Sequence, residues 1–310
     1  MKGKVAITGG TGFVGHYLIN SLLASGYEVV VLTRQLPNPA TTAPRKGLSY
    51  CVWDPYKKQC DAAPLADVVA VMHLAGAGVA DARWTTQRKQ EIVDSRVLGT
   101  QYLVQLINQH MPQCAVLVGT SAIGLYGADG PQSAPFTEDK PANTDFLGHT
   151  CMLWENSYQG LPAHCRLALL RVGIVLGKGK GAWAAFAQPV QMGIMPLLGG
   201  GQQIISWIAV DDLVSLYQYA MQEKSMEGVY NAVSPNPVSN KALMQAINKA
   251  LGGWRIPIYV PSWVLKIMLG EMSVEVLKSC KVSAQKVLKA NFKFQYPLIA
   301  DVATHLLSKK

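Results

Sequence analysis

Residues 4–16, KVAITGGTGFVGH, place four glycines within seven positions, directly after a short apolar run that ends in Thr8. Gly9, Gly10, Gly12 and Gly15 lie between a β-branched segment, KVAIT, and a segment in which Val14, Leu18, Leu22 and Leu23 recur at helical spacing. A strand, a glycine turn and a helix in that order let a phosphate approach the backbone, because no side chains intervene and the helix N-terminus presents free N–H groups. The spacing Gly10-x-Gly12-x-x-Gly15 matches the dinucleotide fingerprint, and it stands at the end of the first strand, where that fingerprint belongs. The same letters also fit an ordinary tight turn between strand and helix.

Beyond this first helix the chain alternates between strand and helix signals. YEVVVLTR, LSYCVW, ADVVAVMHLAG, CAVLVGTSAIG and CRLALLRVGIVLG read as the second to sixth strands, and TTQRKQEIVDSRVLGTQYLVQLINQH as a long amphipathic helix. TCMLWENSYQG reads as the end of another helix. Such an α/β pattern packs as a parallel sheet with helices on both faces, a Rossmann doubly wound fold. With 310 residues, 49% of them apolar, the chain has ample material for a full core. From about residue 177 the text changes to Gly- and Pro-broken segments such as MPLLGGGQQ and SPNPVSN between short helices. The expected division is a dinucleotide-binding domain over residues 1–176, to which 205–233 returns, and a smaller substrate lobe from 177–204 and 234–310.

Several classes are disfavoured. No apolar run reaches the roughly 18 residues of a membrane span, and the N-terminus lacks the order of a signal peptide, so a cytoplasmic location is expected. Six scattered cysteines with no C-x-x-C pair predict reduced, mostly buried thiols and neither a disulfide frame nor a metal site. The formal charge of +9 is concentrated late: residues 251–310 hold nine Lys/Arg against three acids, with Lys286, Lys289 and Lys293 at helical spacing. Without an accompanying nucleic-acid motif or aromatic platform, these lysines read as a solvated helix face.

The end of the second strand bears on which dinucleotide is preferred. An NAD site usually places Asp or Glu there for the ribose 2′-hydroxyl, whereas a 2′-phosphate calls for Arg. The strand ends Thr33-Arg34 with no acid until Asp54, which favours NADP unless Arg34 merely points to solvent.

TGGTGFVG, HLAG at His73–Gly76, SAIGLYG at Ser121–Gly127 and RVGIVLG at Arg171–Gly177 resemble the extended short-chain dehydrogenase/reductases related to sugar-nucleotide epimerases. More narrowly, RWTTQRKQEIVDSR, FLGHTCMLWE, QQIISWIAVDDL and FKFQYP resemble the atypical subgroup usually called the epimerase family protein, and the resemblance runs from Lys4 to about Ala303. It implies NADP(H) held by Gly9, Thr11, Gly12, Phe13 and Gly15 along the pyrophosphate, with Thr33 and Arg34 at the adenosine ribose phosphate. It also implies that His73, Leu74, Ala75 and Gly76 line the adenosine-to-nicotinamide side, and that Glu91 and Arg96 reach the cofactor; their spacing alone equally fits a surface pair on one helix. Short-chain relatives often dimerise through helices near residues 86–110 and 147–158, but nothing in the sequence separates dimer from monomer.

The departure from the wider family is chemical. Its members use Tyr-x-x-x-Lys, in which the lysine lowers the tyrosine pKa so that a proton moves as hydride moves. Aligned on Glu155, the tyrosine position is Leu147 and the lysine position Cys151; the upstream Ser/Thr position is Ala122, with Ser121 beside it. Ser121 and Tyr126 become the candidates for substrate orientation and proton donation, with His149 and Glu155 behind them. Tyr126 could equally be a packed ring, His149 a solvated helix-start residue, and Glu155 the partner of a basic neighbour. On the substrate side, Trp207 and Asp212 keep the relatives' pattern, while the subgroup's histidine is Ala209. Arg83 and Trp84 could offer a cation and a stacking face to an anionic ring, or cap the long helix after them. Lys178 and Lys180 could meet phosphate or lie in a solvated loop. Two functions remain open at this level: an NADP-dependent oxidoreductase or epimerase on a small, anionic or nucleotide-sugar molecule, or an NADP(H) sensor or interaction protein without turnover.

Overall fold

The computed structural model describes residues 2–38, 43–130, 133–179 and 181–308. In chain order the first part holds β1 (Lys4–Thr8), α1 (Phe13–Ala24), β2 (Glu28–Thr33), β3 (Leu48–Asp54), β4 (Gln59–Cys60), β5 (Val68–His73), α2 (Thr86–His110), β6 (Val116–Ala122), α3 (Phe146–Asn156) and β7 (Arg166–Val172). The second holds β8 (Ile174–Leu176), α4 (Ala182–Gln191), β9 (Ile194–Leu198), β10 (Ile204–Ile205), β11 (Trp207–Ala209), α5 (Val210–Gln222), β12 (Gly228–Ala232) and β13 (Val238–Ser239). After these come α6 (Asn240–Leu251), β14 (Ile256–Val260), α7 (Ser262–Leu269), α8 (Ser273–Leu277), α9 (Gln285–Lys289) and α10 (Ile299–Leu307).

The main sheet runs β12-β7-β6-β5-β1-β2-β3-β4 and is parallel except for β4, which turns back on β3. Alternate residues of one strand enter two different cores. Val5, Ile7, Val29 and Val31 pack with Leu18 and Leu22 of α1 and with Leu213 and Tyr217 of α5. Ala6, Val30, Leu32 and Val71 pack with Leu103 and Leu106 of α2 and Trp154 of α3. Burial on both faces is why these strands read as unbroken apolar runs with no polar alternation.

The segment CRLALLRVGIVLG reads as one strand in sequence but is two in the fold. β7 stays in the main sheet, whereas β8 leaves it to pair with β11. At the break Gly173 N donates to Ala232 O and Ile174 N to Ser206 O, so the chain changes partners within one residue. That exchange swings the following segments away from the sheet, over the C-terminal ends of its strands. There Trp183, Val190, Leu197, Leu243, Ile247 and Leu306 form a separate core, and β9 pairs with β14 in a small parallel sheet. The helical spacing of Lys286, Lys289 and Lys293 does not hold as one face: α9 ends at Lys289 and Asn291 turns the chain with φ +62°. All six cysteines are free thiols, five of them buried. Among the described residues no helix is long and apolar enough to cross a membrane.

Candidate functional site

At the C-terminal edge of β1 the glycine turn is required by its neighbours. Gly9 has φ +70°, and a Cβ there would lie 2.8 Å from Ala75 N of the loop after β5. A Cβ on Gly15 would run into Gly9 O, so Gly15 serves the packing of α1 on its own turn. Helix α1 begins with no side-chain cap and no acid in its first turn, which leaves N–H groups and the positive end of the dipole facing outward. Phe13 contributes backbone to this first turn, while its ring lies against Tyr17 and towards Gly177.

In front of this turn lies a cavity of about 410 Å³, walled by Gly9, Thr11 and Gly12, by Thr33 and Arg34 at the end of β2, by Trp53 and Tyr56, and by Leu74, Ala75 and Gly76. Arg88, Glu91 and Ser95 of α2 close it on the far side. Of the expected cofactor residues, Gly15, Phe13, His73 and Arg96 lie outside this wall. The exposed guanidinium of Arg34 forms no hydrogen bond or ion pair among the described residues and stands close enough to Tyr56 for its charge to be felt there. Two buried side-chain polar atoms have no partner among the described residues, Trp53 Nε1 and Arg88 Nε. Both are donors, and both belong to side chains in this one wall. Neither residue stands out in the sequence.

Behind the wall a buried polar relay fixes the loop after β5. His73 is fully buried, and burial pushes its pKa down to about 3. Thr100 Oγ1 donates to Arg96 O at 2.7 Å and accepts from Trp154 Nε1 at 3.1 Å, so the His73 Nε2 contact at 3.0 Å is made by an imidazole N–H. His73 Nδ1 then accepts from Thr8 Oγ1 at 2.6 Å, and the same Thr8 oxygen accepts from Leu74 N and Ala75 N, each at 3.2 Å. His73 thus holds Leu74 and Ala75 in place from beneath. Glu91 and Arg96 do not pair with each other: Glu91 accepts from Arg88 Nη1 at 2.7 Å. Arg96 Nη1 donates to Ala77 O and Ile92 O at 3.0 Å, while its guanidinium lies 4.9 Å from the Trp154 ring. Burial holds its pKa below the usual arginine value.

On the β6–β7 side the polar groups are paired among themselves. Ser121 Oγ donates to Glu155 Oε1 at 2.7 Å, and Glu155 takes a two-pronged contact from Arg171 Nε and Nη2, each at 2.8 Å. Arg171 Nη1 donates to Tyr126 OH at 2.8 Å, and that hydroxyl donates to Asn231 Oδ1 at 2.8 Å. The Tyr126 ring stacks on Phe136 with centroids 5.1 Å apart. Burial lifts its pKa to about 12, against the pull of Arg171. The structure therefore places Tyr126 as a sealed core ring and Ser121 within an ion-pair network, and neither lines the cavity in front of the glycine turn. The partly buried Leu147 stands opposite Gly124, Cys151 is buried with its pKa pushed up to about 12, and His149 is exposed. Tyr158 is tied to Thr120 N and O. The only signal in the sequence for Arg171 as the hub of this network is that it is a lone arginine inside the apolar run LALLRVGIV.

A second cavity, of about 680 Å³, lies between this edge and the small lobe. Val79 and Ala80 of the loop after β5 and Ile123 and Gly124 after β6 form one wall, and α4, α6, α7 and α8 the other. Its lining is almost wholly hydrocarbon, with a Lys278–Glu275 ion pair at 2.8 Å; burial holds the Glu275 pKa above its ordinary value. The residues expected from sequence at the substrate are elsewhere. Arg83 Nη2 donates to Ile267 O and Met268 O at 2.8 and 2.7 Å, clasping the end of α7. Trp84 Nε1 donates to Val79 O at 2.9 Å and its ring meets Phe146 edge-on. Trp207 is buried with Nε1 on Asn236 O, and Asp212 accepts from Gln295 N and Tyr296 N at 2.6 and 3.0 Å, anchoring the C-terminal segment to α5. Lys178 Nζ donates to Ser308 O, and Lys180 lies outside the described residues.

A family model described as "NAD dependent epimerase/dehydratase family" matches residues 5–232, and one described as "Domain of unknown function (DUF1731)" matches residues 260–306. The chain is 35% identical over 307 residues to the epimerase family protein SDR39U1 homolog, chloroplastic, of Arabidopsis thaliana, covering 96% of this chain and 84% of that one. It is 32% identical over 314 residues to the epimerase family protein YfhF of Bacillus subtilis, with 99% of each chain covered. A crystal structure of human epimerase family protein SDR39U1 with NADPH superposes with a TM-score of 0.86 at 27% identity, over 98% of each chain.

Proposed function

This chain belongs to the NAD dependent epimerase/dehydratase family, and from that premise we propose that it is an NADP(H)-binding oxidoreductase or epimerase-like protein whose acid/base set differs from Tyr-x-x-x-Lys. The carrying observation is the cavity of about 410 Å³ that the uncapped glycine turn at the start of α1 forms with the end of β2, where the exposed Arg34 stands. Free backbone N–H groups and the positive end of a helix dipole at one end, and a guanidinium at the other, fit an occupant that carries phosphates at both, such as a dinucleotide with a 2′-phosphate. NADP(H), when bound, supplies or accepts a hydride. Thr11, Gly12 and the backbone of Phe13 would hold its pyrophosphate, Thr33 and Arg34 its 2′-phosphate, and the Leu74–Gly76 backbone its nicotinamide half. Arg88 and Glu91 would bound it from α2.

The presence of NADPH in the human relative's crystal and the Arg34 guanidinium, unpaired among the described residues, both support the phosphorylated form. Arg34→Ala should weaken NADPH binding about 10- to 100-fold, the worth of a charged hydrogen-bonded contact, and leave NADH nearly unchanged. A fluorescence titration of both nucleotides reads this directly, and equal losses would remove Arg34 from the 2′-phosphate site. A second reading, binding without turnover, draws support from Leu147 and Cys151 at the motif positions and from the sealing of Tyr126. Single-turnover oxidation of bound NADPH by any carbonyl compound would dismiss it.

A further inference from the structure

The second cavity carries an inference about substrate class that rests on the nucleotide reading above and goes beyond it. Its outer wall is built from Phe186, Pro189, Met244, Leu265, Met268 and Met272. Of the polar side chains in the wall, Ser206 Oγ already donates to Cys280 O and accepts from Val282 N. Asn240 Oδ1 already accepts from Leu198 N at 3.1 Å. The charged members, Lys278 and Glu275, neutralise each other, their side chains 9% and 21% exposed.

A nucleotide sugar brings two diphosphate charges and many hydroxyls, and each needs a partner when water is excluded. Among the described residues this wall holds no uncompensated cation for the charges. Hydrocarbon, by contrast, gains about fourfold in affinity per methylene buried, at roughly 0.8 kcal/mol each. The methionines give the wall side chains that adapt to an irregular skeleton. Position matters too. The loop after β5 contributes Leu74–Gly78 to the polar cavity and Val79–Ala80 to this one, so an occupant of each would meet across one short stretch of backbone. At the outer rim the apolar wall reaches solvent: Met268 is 61% exposed.

We propose that this cavity takes an apolar small molecule, a hydrocarbon skeleton bearing one carbonyl or hydroxyl group, and that the Lys278–Glu275 pair hydrogen-bonds that single oxygen. The pair suits such a group because it offers one donor cluster and one acceptor without leaving a net charge in the cavity.

The test uses the full chain saturated with NADPH and follows binding of 2-alkanones of six to twelve carbons by isothermal titration calorimetry, with UDP-glucose in parallel. The expected result is a Kd that falls about fourfold per methylene until the cavity is filled, with no binding or competition by UDP-glucose. Met268→Glu, at an exposed rim position, should weaken the longer ketones at least tenfold and leave the NADPH Kd unchanged; Met192→Glu, exposed but outside the wall, should change neither. Ketone affinity independent of chain length, or binding of UDP-glucose in their place, would overturn the proposal. Where the chain binds no NADPH in a preliminary titration but the nucleotide-free protein binds the ketones with the same chain-length dependence, the nucleotide reading is overturned instead and the cavity's chemistry stands.

Discussion

The two sides of the sheet's C-terminal edge treat buried polar groups in opposite ways. Around β1, β2 and β5 a fully satisfied relay, Thr8–His73–Thr100–Trp154, lies beneath a wall in which Trp53 Nε1 and Arg88 Nε are unpaired among the described residues. Around β6 and β7 the chain Ser121–Glu155–Arg171–Tyr126–Asn231 is paired from end to end, and all of it but the partly buried Glu155 is buried. On the first side an exposed guanidinium, that of Arg34, also stands at the cavity's edge, unpaired among the described residues; on the second the network's cation, Arg171, is spent on Glu155 and Tyr126. Polar chemistry is not by itself a mark of a site; unspent polar chemistry is.

Three experiments would break or sharpen this contrast. The largest effect belongs to Arg171, whose side chain is 7% exposed against 14% for Glu155. Arg171→Met strands a partly buried carboxylate and should destabilise the protein by about 3 kcal/mol in urea unfolding, while adding Glu155→Gln should return part of the loss. NADPH affinity should stay within about twofold. A large loss of affinity with stability intact would move Arg171 from the scaffold to the site.

Next in size is a pH effect from His73. Its folded pKa is depressed to about 3 while the unfolded chain titrates near 6.5, so the unfolded state alone takes up the proton in that window. Stability is full above about pH 6.5 and falls by about 1.4 kcal/mol per pH unit below it, down to about pH 3. His73→Asn should lack this term, losing about 2 kcal/mol less than the wild type between pH 6.5 and pH 5. Parallel acid slopes in the two proteins would mean that His73 is protonated in the fold and that the relay runs with the other polarity.

The smallest effect is at Arg83, a cation already committed to the carbonyls of Ile267 and Met268. Arg83→Ala should cost under about 1 kcal/mol of global stability, as exposed polar contacts do. Amide exchange in α7 should nevertheless quicken, and NADPH affinity should not change. A fall in NADPH affinity would place Arg83 among the ligand groups after all.

Much of the first half of the molecule was legible because its signals are local. The glycine turn and the apolar runs each lie within about a dozen residues; five of the six runs form the single strands their neighbours in sequence imply, and the sixth divides at Gly173 into β7 and β8. The candidates that moved were those whose surroundings come from afar. Ser121 meets an acid 34 residues away, and Tyr126 an amide 105 residues away. Asp212 is spent on backbone 83 and 84 residues downstream. No pattern within a segment shows that a side chain's hydrogen bonds are already taken. Arg171 had a readable signal, since a charge in a buried strand must be paired, but its partner did not.

The sequence by itself determined the doubly wound sheet, the phosphate-ready turn and the loss of Tyr-x-x-x-Lys, because periodicity, glycine placement and residue identity are properties of short stretches. Only the tertiary structure decided which polar groups remained unpaired and that the second cavity is lined with hydrocarbon. Those outcomes depend on β8 leaving the sheet and on helices from residues 182–277 closing over its edge. Burial and pairing are set by elements that meet only once the chain has folded, and a hydrogen bond already satisfied is visible only from both of its ends.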